Sequence, residues 1–269
     1  MNLENASIAD WMASPSPGTR HILLIDPDKQ EPEIAAQRAM VAVDLGSSMI
    51  FVGGSTDTPF EKVEATCAAI QESFELRIFA ESQKPDGDEQ KWNVPVVLFP
   101  SGANALAKSA DGITFMMLMN SSDSRFLIGE QAAGAPLIRT FGIEPISMGY
   151  IVCAPGGKVG EVGRAHLVHE GEEQRIVEYA TAAEMYGFTT LYLEAGSGAS
   201  KPVSQGLIRA AREASNLVII VGGGIRTKVD AINAIEAGAD FIVTGTLAEE
   251  TSSVDELQAA LSPILSVCQ

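Results

Sequence analysis

Two acidic side chains follow apolar segments, at positions where they could take part in chemistry. Glu194 follows residues 189–193, and Asp26 follows residues 21–25. Tyr192 and Glu194 are two residues apart, so in a strand they point to the same side. A carboxylate buried beside apolar walls has a raised pKa and can accept a proton from a hydroxyl. We therefore predict that Glu194 is a general base with Tyr192 beside it, although Glu194 could instead pair with a nearby Lys or Arg.

Two apolar segments near the C-terminus, 218–221 and 241–244, each run into small residues. These residues are Gly222, Gly223 and Gly224 after the first, and Gly245 and Thr246 after the second. Glycines leave main-chain N–H groups bare, and a helix starting near Thr227 would point its positive end at them. The pattern predicts a phosphate site. The alternative is a tight turn without a ligand. The second glycine-ended segment, 241–244, favours the phosphate site.

Asp26 or Asp28 could hold Mg²⁺, which prefers carboxylate oxygens and keeps several waters. Pro27 ends the first apolar segment, and Asp28 and Lys29 follow it. Ser55, after a second apolar segment at 49–52, could complete a metal or diphosphate site with Asp26. Alternatively, Asp28 only caps the next helix, Ser55 is a turn or cap residue, and Lys29 is ordinary surface.

A glycine-rich segment at residues 154–165 contains the cations Lys158 and Arg164. We predict a flexible cover over an anionic substrate. The alternative is an adaptable loop whose charges are simply solvated.

These residues must be positioned by a regular scaffold, and the sequence repeats one arrangement three times. A helix end, a glycine, an apolar strand and a second glycine recur at 45–53, 186–196 and 237–245. Such units predict parallel strands joined by crossover helices. A flat doubly wound sheet shares the pattern, but paired phosphate loops after the last two strands favour a closed (β/α)8 TIM barrel. The segment 103–110 is short for a barrel helix, so the third helix is expected to be short or irregular.

The chain length suits one such domain, since 269 residues give about 34 per βα unit. We predict a single domain over 1–269, with an N-terminal cap segment at 1–20 and a polar surface insertion at 80–93. Trp11 would cover one end of the core. Helices are predicted at 31–45, 58–73, 126–133, 172–186, 203–214 and 253–266, and the strands not yet mentioned at 94–99, 112–119 and 146–153.

The formal net charge of −17 argues against nucleic acid and anionic membrane surfaces as partners, because phosphates attract Lys and Arg. No apolar run reaches 18 residues, so we expect no transmembrane segment. Cys67, Cys153 and Cys268 are isolated, which predicts a reducing, cytoplasmic location. Neither the cysteines nor the three histidines have metal-site spacing.

Several segments together resemble the geranylgeranylglyceryl phosphate synthase family, which also includes bacterial heptaprenylglyceryl phosphate synthases. They are residues 24–29, 52–55, 149–152 with 155–157, 192–198, 222–226 and 245–246. The likeness is ordered along the chain from about residue 11 to 265, and its specific part is the segment 192–198. Some members have a lysine two residues before the first aspartate of the strand-1 motif; here that position is Leu24.

The resemblance implies a Mg²⁺-dependent prenyltransferase that joins a polyprenyl diphosphate to the C3 hydroxyl of sn-glycerol 1-phosphate, the first ether bond of archaeal membrane lipids. It implies Mg²⁺ on Asp26 and Ser55, and Glu194 as base. The glycerol phosphate would contact Tyr192, Leu193, Glu194, Ala195, Gly196, Ser197, Gly198, Gly223, Gly224, Gly245 and Thr246. Lys29, Lys158 or Arg164 would contact the diphosphate, an apolar groove would hold the prenyl tail, and the protein would be a homo-oligomer.

Three other classes of protein would also have a phosphate site of this kind. One is an isomerase or indole-type synthase, which predicts catalytic Lys or Asp residues at several strand ends, whereas only Asp26 and Glu194 stand out. A flavin-binding barrel is the second. The third is a phosphometabolite-binding module without activity.

Overall fold

The computed structural model describes residues 7–53 and 58–268, and its eight parallel strands close into a barrel in chain order. The strands are β1 (Arg20–Ile25), β2 (Met49–Val52), β3 (Val96–Leu98), β4 (Gly112–Leu118), β5 (Glu144–Val152), β6 (Thr190–Glu194), β7 (Val218–Gly222) and β8 (Phe241–Thr244). Closure comes from β1 pairing with β8, where Arg20 lies beside Phe241. The predicted (β/α)8 barrel is confirmed, and the flat doubly wound sheet is wrong.

The helices surround this barrel. They are α1 (Ile8–Ala13), α2 (Pro32–Leu45), α3 (Phe60–Ser82), α4 (Glu130–Phe141), α5 (Gly157–Val162), α6 (Glu173–Met185), α7 (Gln205–Ala214), α8 (Lys228–Glu236), α9 (Thr246–Glu250) and α10 (Val254–Leu265). Short 3₁₀ turns occur at Pro27–Lys29 and Gln90–Trp92, and a π-helical turn at Arg125–Gly129. Within the described ranges, no helix has the length and apolar character needed to cross a lipid bilayer.

The connection between β3 and β4 has no helix, as expected for the third barrel helix. Residues 99–111 form turns and extended chain. They are held from neighbouring helices: Ala103 N donates to Glu130 Oε2 (2.7 Å), and Lys108 N donates to Glu64 Oε2 (2.8 Å). The outer helical layer is therefore interrupted on this side of the barrel.

Two predicted helix ends were wrong. Helix α3 continues to Ser82 instead of ending at 73, because Ile70 and Phe74 keep its buried face in register. The polar segment at 80–93 therefore begins inside its last turn. Helix α4 starts later than predicted and runs to Phe141 through Pro136.

Two short helices were not predicted. Helix α5 lies within the segment 154–165, which was predicted as a loop, and α9 directly follows β8.

The N-terminal end of the barrel is closed by α1. Trp11 packs edge-on against Phe241 with 5.9 Å between ring centroids, and the Arg20 guanidinium lies 4.9 Å from the Trp11 ring. The carboxylate of Glu144 accepts hydrogen bonds from Ile8 N and Ala9 N, both at 2.8 Å. Helix α1 thus seals the end of the barrel at which the strands begin.

Candidate active site

A cavity of about 300 Å³ opens at the C-terminal ends of the strands. That end is where the loops of (β/α)8 enzymes carry their active sites. Its polar part brings together six residues singled out from the sequence: Asp26, Ser197, Gly223, Gly224, Gly245 and Thr246. Tyr192 and Glu194 lie in the same wall, at the end of β6. The cavity then continues towards the side of the barrel that lacks a helix.

Glu194 is a buried carboxylate, 6% exposed. Its Oε1 accepts a hydrogen bond from Gly196 N (2.5 Å), and the hydroxyls of Tyr192 and Tyr150 donate to the same carboxylate. Burial raises the pKa of Glu194 to about 7, although these three hydrogen bonds act in the opposite direction. None of the ion pairs in the described part of the chain includes Glu194. A carboxylate with this pKa is half ionised near neutral pH and can accept a proton.

Three aromatic rings form the cavity wall beside this carboxylate. The ring centroids of Tyr150 and Tyr192 are 5.2 Å apart, and Phe99 lies 5.4 Å from Tyr192 and 5.9 Å from Tyr150. Burial, with the charge of Glu194, raises the pKa of both phenols well above the usual value. Both tyrosines therefore stay protonated and act as donors to Glu194.

Tyr150 was not assigned a role from the sequence. The strand pairing places it directly opposite Tyr192. Its inward direction could have been inferred from strand alternation, but the pairing of β5 with β6 in this register could not.

Two glycines at the end of β7 make room for the residues of β6. A β-carbon at Gly222 would collide with the Tyr192 hydroxyl, and one at Gly223 would collide with Glu194 Oε1. Gly223 also has a φ of +81°, which favours glycine. Here, glycine is therefore needed for the packing of the proposed base as well as for exposing main-chain amides.

The loops after β6, β7 and β8 meet at the polar end of the cavity. Gly198 N donates to Thr246 Oγ1 (3.1 Å), which ties the β6 loop to the first residue of α9. Helix α8 begins beyond Gly224, with Thr227 as its N-cap in a capping box with Asp230. Helix N-termini and bare amides of this kind bind anions.

The predicted contact residues Leu193 and Ala195 face away from the cavity. Both side chains are fully buried in the layer between the barrel and its outer helices. The main chain of Ala195 hydrogen-bonds that of Gly222 and Gly156.

Asp26 is half-buried in the cavity wall. Its Oδ1 accepts a hydrogen bond from Asp28 N (2.8 Å), and burial raises its pKa despite that bond. Glu249 also lines the cavity, and burial together with the charge of Asp26 raises the pKa of Glu249. Asp28 does not cap α2: its carboxylate accepts from the Thr58 hydroxyl and lies 3.7 Å from Lys62 Nζ. The polar end of the cavity is thus rich in carboxylate oxygens.

The other predicted metal ligand, Ser55, lies outside the described residues. Among the residues that are described, no group of three or more His, Cys, Asp or Glu could hold a metal ion.

The three predicted diphosphate cations occupy different positions. Lys158, on α5, lines the cavity. Lys29 is exposed in the turn after Asp26, and its charge lowers the pKa of Asp26 and of Glu249. Arg164 is 71% exposed, lies 3.7 Å from Asp123 and is not part of the cavity wall.

The other part of the cavity is apolar and was not assigned from the sequence. Its lining includes Phe99, Leu106, Ile113, Phe115, Leu118, Phe126, Gly134 and Ile138. These residues come from β4, α4, the π-helical turn at Arg125–Gly129 and the turns that replace the third helix. The sequence shows that these residues are apolar. It does not show that they share a cavity with Glu194, because that arrangement depends on the absence of the third helix.

Residues 16–262 match the PcrB family. The chain belongs to the PcrB family. It is 42% identical to the geranylgeranylglyceryl phosphate synthase of Methanothrix thermoacetophila over 245 residues, which cover 91% of this chain and 89% of the relative. The resemblance drawn from the motifs is therefore confirmed.

Solved structures agree with this family. The (S)-3-O-geranylgeranylglyceryl phosphate synthase of Thermoplasma acidophilum, in complex with substrate sn-glycerol-1-phosphate, superimposes with a TM-score of 0.87 at 34% identity, covering 98% of each chain. Thiamine phosphate pyrophosphorylase of Pyrococcus furiosus has a TM-score of 0.56 at 13% identity, covering 92% of this chain and 94% of that one. This second likeness is one of fold alone.

Proposed function

We propose that this PcrB-family chain transfers a polyprenyl group, geranylgeranyl or similar, from its diphosphate to the C3 hydroxyl of sn-glycerol 1-phosphate. The observation that carries the proposal is that one cavity joins a glycine-lined anion site, a buried carboxylate and an apolar groove. The Thermoplasma acidophilum relative, which was solved with sn-glycerol-1-phosphate, supports the choice of acceptor. The product is the first ether of archaeal membrane lipids.

The phosphate of the acceptor would bind at the polar end of the cavity. The chain has a net charge of −17, so an anion needs local donors. Gly223, Gly224 and Gly245 supply main-chain amides there, and Ser197 and Thr246 supply hydroxyls. A phosphate held at these loops would direct the glycerol hydroxyls towards Glu194.

The chemical step forms one bond and breaks one. The O3 oxygen of glycerol phosphate bonds to C1 of the prenyl chain, while the bond from C1 to the diphosphate oxygen breaks and its electron pair leaves with the diphosphate. The hydroxyl proton passes to the Glu194 carboxylate. Tyr150 and Tyr192 hold this carboxylate in place through their hydroxyl hydrogen bonds.

A Mg²⁺ ion is proposed as the cofactor, and the donor chemistry of the cavity fits it. Asp26 and Glu249 bring two carboxylates to one wall, where the charge of one raises the pKa of the other. Asp26 would hold the ion, with Ser55 as the second ligand that the family resemblance implies, and waters and diphosphate oxygens as the rest. When bound, the ion would offset the charge that develops on the departing diphosphate. The proposed protein cations for the diphosphate are Lys158 and Lys29. Arg164 would join them if its loop moved inward.

The prenyl tail would lie in the apolar groove between β3, β4 and α4. Burying a C20 chain in this groove would contribute roughly 25 cal/mol of favourable free energy for each Å² of apolar surface removed from water. Phe99 lies between this groove and the tyrosines, so the reactive end of the chain would stop beside Glu194.

The test is direct product formation. Purified protein would be incubated with geranylgeranyl diphosphate, sn-glycerol 1-phosphate and Mg²⁺, and the ether product and released diphosphate would be measured by mass spectrometry. The enantiomer sn-glycerol 3-phosphate is the matched control and should react much more slowly. Chelation of the metal should stop turnover if Mg²⁺ is required.

Other outcomes separate the rival functions. Binding of sn-glycerol 1-phosphate without turnover would indicate a phosphometabolite-binding module. No binding of either substrate would indicate another phosphate-using barrel enzyme. A yellow purified protein would indicate a flavin site.

A further inference from the structure

A chain of buried and partly buried hydrogen bonds joins the turn after β1 to the end of α9. Gln30 Nε2 donates to the main-chain oxygen of Asp26 (3.0 Å), and Arg38 Nη1 donates to Gln30 Oε1 (2.5 Å). Arg38 Nη2 donates to the main-chain oxygen of Thr251 (2.7 Å), the residue that caps α9 at its C-terminus. One guanidinium therefore bridges the Asp26 turn and α9.

Arg38 is an unexpected residue for its position. It is 8% exposed, on the face of α2 that otherwise buries small residues such as Ala35, Ala39 and Ala42. Burial lowers the pKa of Arg38, and the charge of Glu249 partly opposes this effect. A buried charge is costly unless it is well bonded, and an apolar side chain often packs as well at lower cost. Packing alone therefore does not explain why a charged side chain with these two hydrogen bonds is buried at this position.

Both groups that Arg38 holds carry residues of the cavity. Asp26 lies at one end of the bridge, and α9 begins with Thr246, which lines the cavity and accepts a hydrogen bond from Gly198 N. Helix α9 is five residues long, so a displacement at Thr251 would also displace Thr246. An arginine holds two acceptors with separate nitrogens of a fixed planar fork, whereas a lysine has all its donors on one nitrogen at the end of a flexible stem.

We infer that Arg38 is a positioning residue, which sets the distance between Asp26 and the phosphate-binding end of α9. This inference rests on the proposed function, because it assumes that the cavity binds sn-glycerol 1-phosphate. Arg38 itself does not line the cavity. Its removal should weaken binding of the phosphate end through the displacement of Thr246.

The test compares two arginines that hold main-chain oxygens at opposite ends of the barrel. Arg38→Met removes the bridge. Arg212→Met is the matched control, because Arg212 Nη2 donates to the Leu217 main-chain oxygen (2.8 Å) and to Asp240 Oδ2 (2.5 Å) away from the cavity. Calorimetric titration with sn-glycerol 1-phosphate, without prenyl diphosphate, gives the affinity, and thermal unfolding gives the stability.

We expect both variants to lose stability, and only Arg38→Met to bind sn-glycerol 1-phosphate about tenfold more weakly, as lost hydrogen bonds of this kind predict. Arg38→Lys keeps the charge but replaces the planar fork by a single donor nitrogen, so its affinity should fall between those of Arg38→Met and the wild type. If Arg38→Met does not fold, the affinity of Arg38→Lys decides the question.

Wild-type affinity in the Arg38 variants, or an equal loss in Arg212→Met, would overturn the inference. If the wild type itself does not bind sn-glycerol 1-phosphate, the proposed function fails instead. The role of Arg38 would then be judged by the same comparison with inorganic phosphate as the probe.

Discussion

Replacing Glu194 by glutamine separates the chemical role of this carboxylate from its structural cost. The amide keeps an oxygen that can accept from Gly196 N, and the hydroxyls of Tyr150 and Tyr192 can turn to accept from its NH₂ group. The hydrogen-bonded shell should therefore survive, together with the affinity for sn-glycerol 1-phosphate. The variant cannot accept a proton, so kcat should fall by about 10²–10⁴-fold, the usual contribution of a general base.

The same change should raise stability, by an amount that follows from the pKa. Burial raises the pKa of Glu194 from 4.5 to about 7, so the folded state binds more protons than the unfolded state between these values. The stability that protonation contributes is fully present below about 4.5 and is lost as the pH rises through about 7. At about 1.36 kcal/mol per pKa unit, the loss is about 3 kcal/mol. Because an amide does not titrate, Glu194→Gln should be about 3 kcal/mol more stable than the wild type near pH 8, and about 1 kcal/mol more stable near pH 5.

Two measurements check this prediction. Denaturant unfolding of both proteins at the two pH values gives the stability difference, and single-turnover kinetics gives the chemical step. Asp111→Asn is the control: desolvation also raises the pKa of Asp111, but this residue hydrogen-bonds Val96 N and Gln71, outside the cavity wall. Near-normal turnover of Glu194→Gln would remove Glu194 from the mechanism. A stability difference that does not grow with pH would refute its raised pKa.

Three further changes test the other parts of the site. Asp26→Asn should raise the Mg²⁺ concentration needed for half-maximal rate about tenfold or more, because it removes the proposed charged ligand; an unchanged metal dependence would place the ion elsewhere. Tyr150→Phe removes a hydrogen bond that lowers the pKa of Glu194, so the acidic limb of the kcat/KM profile should move to higher pH; an unmoved limb would contradict the contact. Gly134→Leu should fill the apolar groove and favour shorter prenyl diphosphates over geranylgeranyl diphosphate by roughly tenfold, as a lost chain pocket implies. In the matched control Gly134→Ala, the new β-carbon would lie 3.5 Å from Ala103 Cβ, an ordinary contact, so selectivity should not change.

Much of the fold and of the polar end of the site follows from local sequence. The repeated glycine and apolar pattern reports backbone conformation and burial, which are local properties, and this was sufficient to predict eight parallel strands. In a closed parallel barrel all strand ends meet on one face, so Asp26, Glu194 and Gly223 were expected to lie together, and they line the same cavity.

The parts that were missed depend on long-range packing. Tyr150 acts on Glu194 through the register of β5 against β6, which no local pattern encodes. The bridge through Arg38 joins residues 213 positions apart in the chain, Arg38 and Thr251. Helix α4 runs past its predicted end at 133 and through Pro136, and its residue Ile138 packs in the core.

The missing third helix explains how a single barrel could take the two unlike substrates that we propose. The strands that carry the phosphate loops, β7 and β8, lie across the closed ring from β3 and β4. A helix after β3 would cover the apolar residues Leu106 and Ile113 and close that side. Without it, the proposed hydrocarbon chain and phosphate would enter from opposite sides, and their reactive ends would meet near the middle. Glu194, on β6 beside Tyr150 and Tyr192, lies between these two ends. The position of the proposed base is therefore a consequence of where the helical layer is interrupted.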